Sequence, residues 1–223
     1  LTAHAAAGRE VWVAPGTGNW QSYTGRTAVR YGNLSRAATQ GAAAGAVGYL
    51  NTEWGDFGHR QQWPLALFGM ADGAQAAWSG GGAFDAEAAG LHALGSAALG
   101  TWLAAFGRAD QQIPGGVGSA TFTDGNVAWS NEADPAAIPA WREVAEKLAG
   151  VEASLPTVGG LFEEECRLAV AMARFAADRA VARREGAAWE TQHAFKARLA
   201  PLCADYRRPV SYTHLTLPTI CSV

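Results

Sequence analysis

The residues best suited to chemistry lie together in residues 48–61, which read Gly-Tyr-Leu-Asn-Thr-Glu-Trp-Gly-Asp-Phe-Gly-His-Arg-Gln. A short apolar strand is followed by a turn that carries Glu53, Trp54, Asp56 and His59. An indole can stack on the C–H face of a sugar ring, and a neighbouring carboxylate can accept hydrogen bonds from the hydroxyls. The stretch is therefore interpreted as a sugar-binding loop, with a structural loop around a half-buried tryptophan as the alternative.

Other kinds of chemistry have no matching pattern in the chain. There is no phosphate-loop motif and no Gly-x-Ser-x-Gly elbow, and Gly16-Thr17-Gly18 lacks the remaining spacing of a dinucleotide fingerprint. His59 has no companion at metal-ligand spacing, so no metal site is expected. The function favoured below is one for which no cofactor is expected. Glu53 and Asp56 lie close together on one loop, whereas paired glycosidase carboxylates flank a bond from defined distances. Their types and spacing favour sugar binding over a catalytic pair.

The composition predicts a folded protein with a substantial core. The chain has 223 residues, of which 49% are hydrophobic and 17% charged. The net charge of −3 gives no reason to expect a nucleic acid or an anionic membrane as partner, and no apolar run is long enough for a membrane span. Five tryptophans fall in the first third of the chain, which indicates either an aromatic-lined pocket or core packing there. These are Trp12, Trp20, Trp54, Trp63 and Trp78.

The elements that must position these residues alternate between strand and helix. Strands are predicted at 11–14 and 48–52, and helices at about 28–44 and 65–78. This order is typical of a parallel crossover unit, in which the loop after the carboxyl end of each strand carries function. Both unusual loops, 15–23 and 53–62, occupy that position. Domain one is therefore an α/β unit covering residues 1–82.

The remainder of the chain predicts a helical domain over residues 83–208. Residues 84–107 are expected to be helical but broken by Gly90, Gly95 and Gly100, and 108–134 to be irregular. Three further helices are predicted at 135–152, 157–184 and 187–204. The acids of Phe162-Glu163-Glu164-Glu165 are interpreted as a helical first turn, where the helix dipole favours them.

Both ends of the sequence are unusual. Residues 209–223 change abruptly in composition and resemble translated vector sequence, so they are interpreted as a non-native tail, with a genuine apolar C-terminal strand as the alternative. No signal peptide is found, but Leu1 is not an initiator methionine, and the compartment stays open with the cytoplasm slightly favoured. The oligomeric state is equally open.

Two motifs carry a resemblance to a known family. Residues 13–20 read Val-Ala-Pro-Gly-Thr-Gly-Asn-Trp, with Gly-Arg-Thr at 25–27, and residues 49–59 read Tyr-Leu-Asn-Thr-Glu-Trp-Gly-Asp-Phe-Gly-His. They resemble the last third of the catalytic domain of bacterial glycoside hydrolase family 20, the β-N-acetylhexosaminidases. The chain departs from the usual pattern at Glu53, where aspartate is typical, and at Arg60, where an aromatic residue is common.

The resemblance implies the fold class and the residue roles. The chain would contain the last two βα units of an incomplete (β/α)8 TIM barrel, followed by the helical C-terminal region. Trp54 would form the wall of the sugar pocket, Asp56 would accept from the O4 or O6 hydroxyl, and Trp20 would be a second pocket tryptophan. The partner would be a glycan or glycoside containing N-acetylglucosamine.

The resemblance also implies a mechanism that this chain cannot perform alone. Family 20 catalysis is substrate-assisted and retaining, and it uses an adjacent Asp-Glu pair after the fourth barrel strand. The sequence contains no Asp-Glu dipeptide. The chain is thus expected to hold no catalytic residues and to be an inactive part of a glycoside hydrolase. A non-catalytic sugar-binding or helical interaction module is the alternative, and a helical scaffold is a third possibility.

Overall fold

A computed structural model describes residues 1–55, 61–114 and 118–207 of the chain. The described residues form a mainly helical protein with one two-stranded sheet. In chain order the elements are α1 Thr2–Ala6, β1 Trp12–Val13, α2 Thr27–Ala43, β2 Gly48–Tyr49, α3 Trp63–Ser79, α4 Ala86–Leu94, α5 Ala97–Phe106, α6 Ala120–Asn126, α7 Ile138–Ala153, α8 Gly160–Arg184 and α9 Trp189–Arg207. A 3-10 turn, Pro135–Ala137, leads into α7.

The two strands form a parallel pair connected through α2. Trp12 aligns with Gly48 and Val13 with Tyr49, so the predicted parallel crossover is confirmed. The crossover helix lies close to the sheet because α2 carries a glycine at the contact. A Cβ at Gly41 would lie only 2.8 Å from Cγ1 of Val13.

The two faces of this sheet differ. Tyr49 faces the helices, and its hydroxyl donates to the carbonyl of Leu34 at 3.3 Å. Side chains alternate along a strand, so Trp12 and Leu50 belong to the opposite face. They are 60% and 54% exposed. Parallel sheets are ordinarily covered on both faces, and here one face carries exposed apolar side chains.

The main hydrophobic core lies among the helices that follow. It is built around α8, which packs against α6 and α7 and whose Cys166, Val170 and Ala173 are fully buried. Leu65 and Phe68 of α3 belong to the same core cluster. The helix that follows the second strand therefore packs directly on the helical region, and a division at residues 82 and 83 remains a prediction.

Two expectations about residues 84–134 were wrong. Gly95 does end α4 in a left-handed conformation, with φ of 73°, but Gly90 and Gly100 lie inside helices. They let α4 and α5 touch backbone to backbone. The segment expected to be irregular contains α6, which begins where the Ser119 hydroxyl accepts from the amide of Phe122. Asp110 stabilises the start of this short helix, because it accepts from the amide and the hydroxyl of Thr121 at 3.2 and 2.6 Å.

We predict that Gly100→Ala destabilises the protein. A Cβ at Gly100 would lie 2.0 Å from the carbonyl oxygen of Ala86 and 2.7 Å from Cα of Gly90, so α4 and α5 would have to separate. The expected loss in the free energy of unfolding is about 1–3 kcal/mol, measured by urea denaturation. Gly150→Ala in α7 is the matched control, because its Cβ would meet nothing within 4 Å. A Gly100→Ala protein as stable as the Gly150→Ala protein would contradict the close crossing.

Candidate functional site

A cleft of about 720 Å³ opens beside the loops that follow the two strands. Its walls come from the loop after β1, from the loop after β2 and from the first half of α2. The lining residues are Gly16, Gly18, Trp20, Arg26, Ala28, Val29, Gly32, Asn33, Arg36 and Trp54. The cleft therefore contains two of the predicted site residues, Trp20 and Trp54.

Backbone hydrogen bonds continue the strand pairing into both loops. Gly16 and Thr52 form an isolated parallel bridge. The amide of Thr17 donates to the carbonyl of Thr52, and the amide of Thr52 donates to the carbonyl of Pro15, each at 2.9 Å. The two loops thus leave the sheet side by side, as the crossover pattern predicts.

Trp54 is held in the cleft by one hydrogen bond and one glycine. Its indole Nε1 donates to the hydroxyl of Thr52 at 2.7 Å, and half of the residue is exposed. A Cβ at Gly16 would lie 2.9 Å from Cδ1 of Trp54, so only glycine lets the indole lie against this backbone. The ring is thereby fixed at one edge while part of its surface faces the cleft.

Trp20 lies on the other loop, in a strained segment. The guanidinium of Arg26 stacks over its ring, 5.5 Å from the centroid. Gln21 and Arg26 both have positive φ angles, of 49° and 47°, in the left-handed region that non-glycine residues seldom adopt. Strain of this kind is retained only where surrounding contacts impose it, and it is common at ligand sites.

Glu53 connects the two loops. Its carboxylate accepts from the hydroxyl of Thr17 at 2.5 Å, from the side-chain amide of Asn19 at 3.3 Å and from that of Gln61 at 2.7 Å. Burial raises the pKa of Glu53, and these three hydrogen bonds oppose the increase. Glu53 is not among the described lining residues, so the structure gives it a supporting position. Its predicted contact with sugar stays a prediction.

A buried ion pair between Arg30 and Asp72 supports the same hydrogen-bond network. Nε of Arg30 donates to Oδ2 of Asp72 at 2.6 Å, and both residues are at most 1% exposed. Arg30 also donates to the carbonyl of Gly25 at 2.6 Å and to Oδ1 of Asn19 at 3.2 Å. Burial raises the pKa of Asp72 to about 6, and the charge and hydrogen bonding of Arg30 oppose the increase. The pair fixes α2, α3 and the loop after β1 relative to one another.

Two of the predicted site residues are not described by the structure, and three polar residues that line the cleft were not predicted. Asp56 and His59 lie outside the described residues. Arg26, Asn33 and Arg36 also line the cleft but were not predicted as site residues, although the spacing from Asn33 to Arg36 indicates one helix face. Among the described side chains, no group of three or more His, Cys, Asp or Glu residues is arranged to hold a metal ion.

None of the described helices is by itself a candidate membrane span, and the comparisons with known proteins give no family for the chain. No single helix within 1–55, 61–114 and 118–207 is long and apolar enough to cross a membrane. The α4 and α5 pair meets the criterion by length and composition only when joined across a 118° bend. Comparisons with protein-family models, curated proteins and solved structures find no match for this chain.

We predict that Arg30→Met costs about 3–5 kcal/mol in the free energy of unfolding, because Asp72 would be left as a buried charge without its partner. Arg142→Met is the control, since Arg142 forms an exposed pair with Glu185 and should cost less than about 1 kcal/mol. Urea unfolding of both variants makes the measurement. Equal losses in the two variants would contradict the supporting role of the buried pair.

Proposed function

We propose that this chain is part of a β-N-acetylhexosaminidase-like glycoside hydrolase and forms one wall of the pocket for a terminal N-acetyl-β-glucosaminide. The observation that carries the proposal is the shared cleft of Trp20 and Trp54, at the loops that follow two parallel strands. Indole rings with exposed surface suit the C–H faces of a sugar ring, which need an apolar and flat partner.

The exposed apolar face of the sheet supports the barrel fold that this proposal includes. Trp12 and Leu50 are exposed on the side of the sheet away from α2 and α3. In a (β/α)8 barrel this side would face the packed interior formed by the other strands. The exposed apolar side chains are therefore of the kind that six further βα units would cover.

The residues of the cleft would bind and orient the sugar. Trp54 would stack on the ring, with Asp56 expected to accept from a hydroxyl of the same sugar. Arg26 and Arg36 offer hydrogen-bond donors on the helix side of the cleft. The hydrolysis would be substrate-assisted and retaining, with the acid pair in a part of the parent enzyme outside this chain.

A non-catalytic sugar-binding module is the second candidate, and the same cleft supports it. The two candidates differ in the gene that encodes the chain. An Asp-Glu element within about 200 residues upstream, the length of the missing barrel units, favours the enzyme. A start codon directly before Leu1 favours the module.

We predict that Trp54→Ala weakens binding of N-acetylglucosamine by about fivefold to tenfold, because stacking energy of about 1–1.4 kcal/mol is lost. Trp78→Ala is the matched control: Trp78 is 95% exposed near the end of α3 and is not a lining residue of the cleft. Isothermal titration calorimetry on the intact chain measures both affinities. Equal affinity in the two variants would refute the role assigned to Trp54.

We predict that Asp56→Ala in the complete gene product lowers kcat/KM on an aryl N-acetyl-β-glucosaminide by about tenfold or more, since a charged acceptor for a sugar hydroxyl is lost. Glu87→Ala, an exposed acid on α4, should leave kcat/KM unchanged. The present chain alone should release no aryl alcohol. Full activity of Asp56→Ala would remove this residue from the site.

A further inference from the structure

Glu165 is a buried carboxylate that has no charged partner among the residues that the structure describes. It lies on α8 and is 0% exposed. Its Oε2 accepts from the backbone amide of Trp63 at 2.9 Å, across 102 residues of sequence. Within the described part of the chain no arginine, lysine or histidine forms an ion pair with Glu165. Such burial is costly, so the position needs an explanation.

The amide that Glu165 accepts from is the first of α3. The first amides of a helix have no partner within the helix and carry its positive end. The residue before Trp63 is Gln62, whose side chain does not cap this helix. Glu165 therefore acts as a cap supplied by a distant helix, and it fixes where α3 begins.

The start of α3 is joined to the cleft by one more residue. Gln61 is 1% exposed, and its side-chain amide donates to Oε1 of Glu53 at 2.7 Å and to the carbonyl of Trp54 at 3.4 Å. A continuous series of contacts thus runs from α8 through the 61–63 backbone to the residue that carries the exposed indole.

We propose that Glu165 is a positioning residue for the cleft, which holds the 61–63 segment and through Gln61 the backbone of Trp54. The helical region then does more than pack on the α/β unit, because one of its side chains determines the position of the indole. This assignment goes beyond sugar binding and does not depend on it.

The charge state of Glu165 provides a way to test the assignment. Burial raises the pKa of Glu165 to about 7, and the hydrogen bond from Trp63 opposes the increase. On α8 its titratable neighbours are Glu164 and Cys166, and from α3 it meets the Trp63 amide. Glu53, which accepts from Gln61, is the next titratable group along the same series of contacts. Above pH 7 the carboxylate accepts a charge-assisted bond, and below it the neutral acid accepts a weaker one.

The experiment follows the indole itself, without ligand. The intact chain is labelled with 5-fluorotryptophan and measured by fluorine-19 NMR. The resonance of Trp54 is assigned by its loss in the Trp54→Phe variant. In the wild type we expect this resonance to shift between pH 6 and 8, around the midpoint of about 7. Glu165→Gln, which keeps the acceptor but cannot ionise, should stay near the low-pH position and lose that shift. Glu165→Ala should move or broaden the resonance at every pH.

Two controls test whether the response is specific to Glu165 and to Trp54. Glu164→Gln, an exposed neighbour on α8, should behave as the wild type, and the resonance of Trp78 should not respond in any variant. An unchanged Trp54 resonance in a Glu165→Ala protein that circular dichroism shows to be folded overturns the proposal. If Glu165→Ala does not fold, a pH shift of full amplitude in Glu165→Gln overturns it alone. Because no sugar is present, failure here is distinct from failure of the sugar-binding proposal.

Discussion

The buried ion pair between Arg30 and Asp72 is the interaction on which the α/β unit depends. Two short strands contribute few hydrogen bonds, and a two-stranded sheet is marginal by itself. The pair lies where α2 crosses α3, with the two charged atoms 2.6 Å apart and out of contact with water. Removing either partner would leave the other charge buried without compensation. The pair therefore specifies a single arrangement of helices and loop.

A network of hydrogen bonds carries this constraint to the cleft. Asn19 accepts from Arg30 and donates to the Glu53 carboxylate and to the carbonyl of Leu65. Glu53 in turn joins the loops after the two strands. Polar side chains buried in this way are expensive unless each finds partners, and once satisfied they rigidify their surroundings. The two indoles of the cleft are thus supported mainly by buried polar contacts, with Glu165 acting from the helical side.

Features that depend on local pattern were predictable from the sequence. The apolar runs near Val13 and Tyr49 and the lengths of α2 and α3 follow from periodicity, Gly and Pro, and the parallel crossover follows from their order. The order also placed the loops of Trp20 and Trp54 at the same edge of the sheet. That local reasoning was enough to anticipate one cleft containing both residues.

Features that depend on tertiary neighbours were not predictable. In the sequence, Arg30 cannot be distinguished from an exposed arginine on a helix. Only the structure shows that Arg30 is buried against Asp72. Glu165 has the sequence signature of a first-turn acid. Its neighbour Glu163 does serve the helix start by accepting from the amides of Val158 and Gly159, whereas Glu165 faces inward to another helix. In α4 and α5, Gly90 and Gly100 resemble helix breakers, because their close contact exists only after the helices pack.

The proposed function requires that the indole of Trp54 lie against one sugar ring in this cleft. Nuclear Overhauser effects between N-acetylglucosamine and the intact chain test this contact. We expect effects from the ring C–H protons of the sugar to the indole protons of Trp54, with further effects to Trp20. A folded chain that gives sugar contacts only to other residues, or none to either tryptophan, would contradict it.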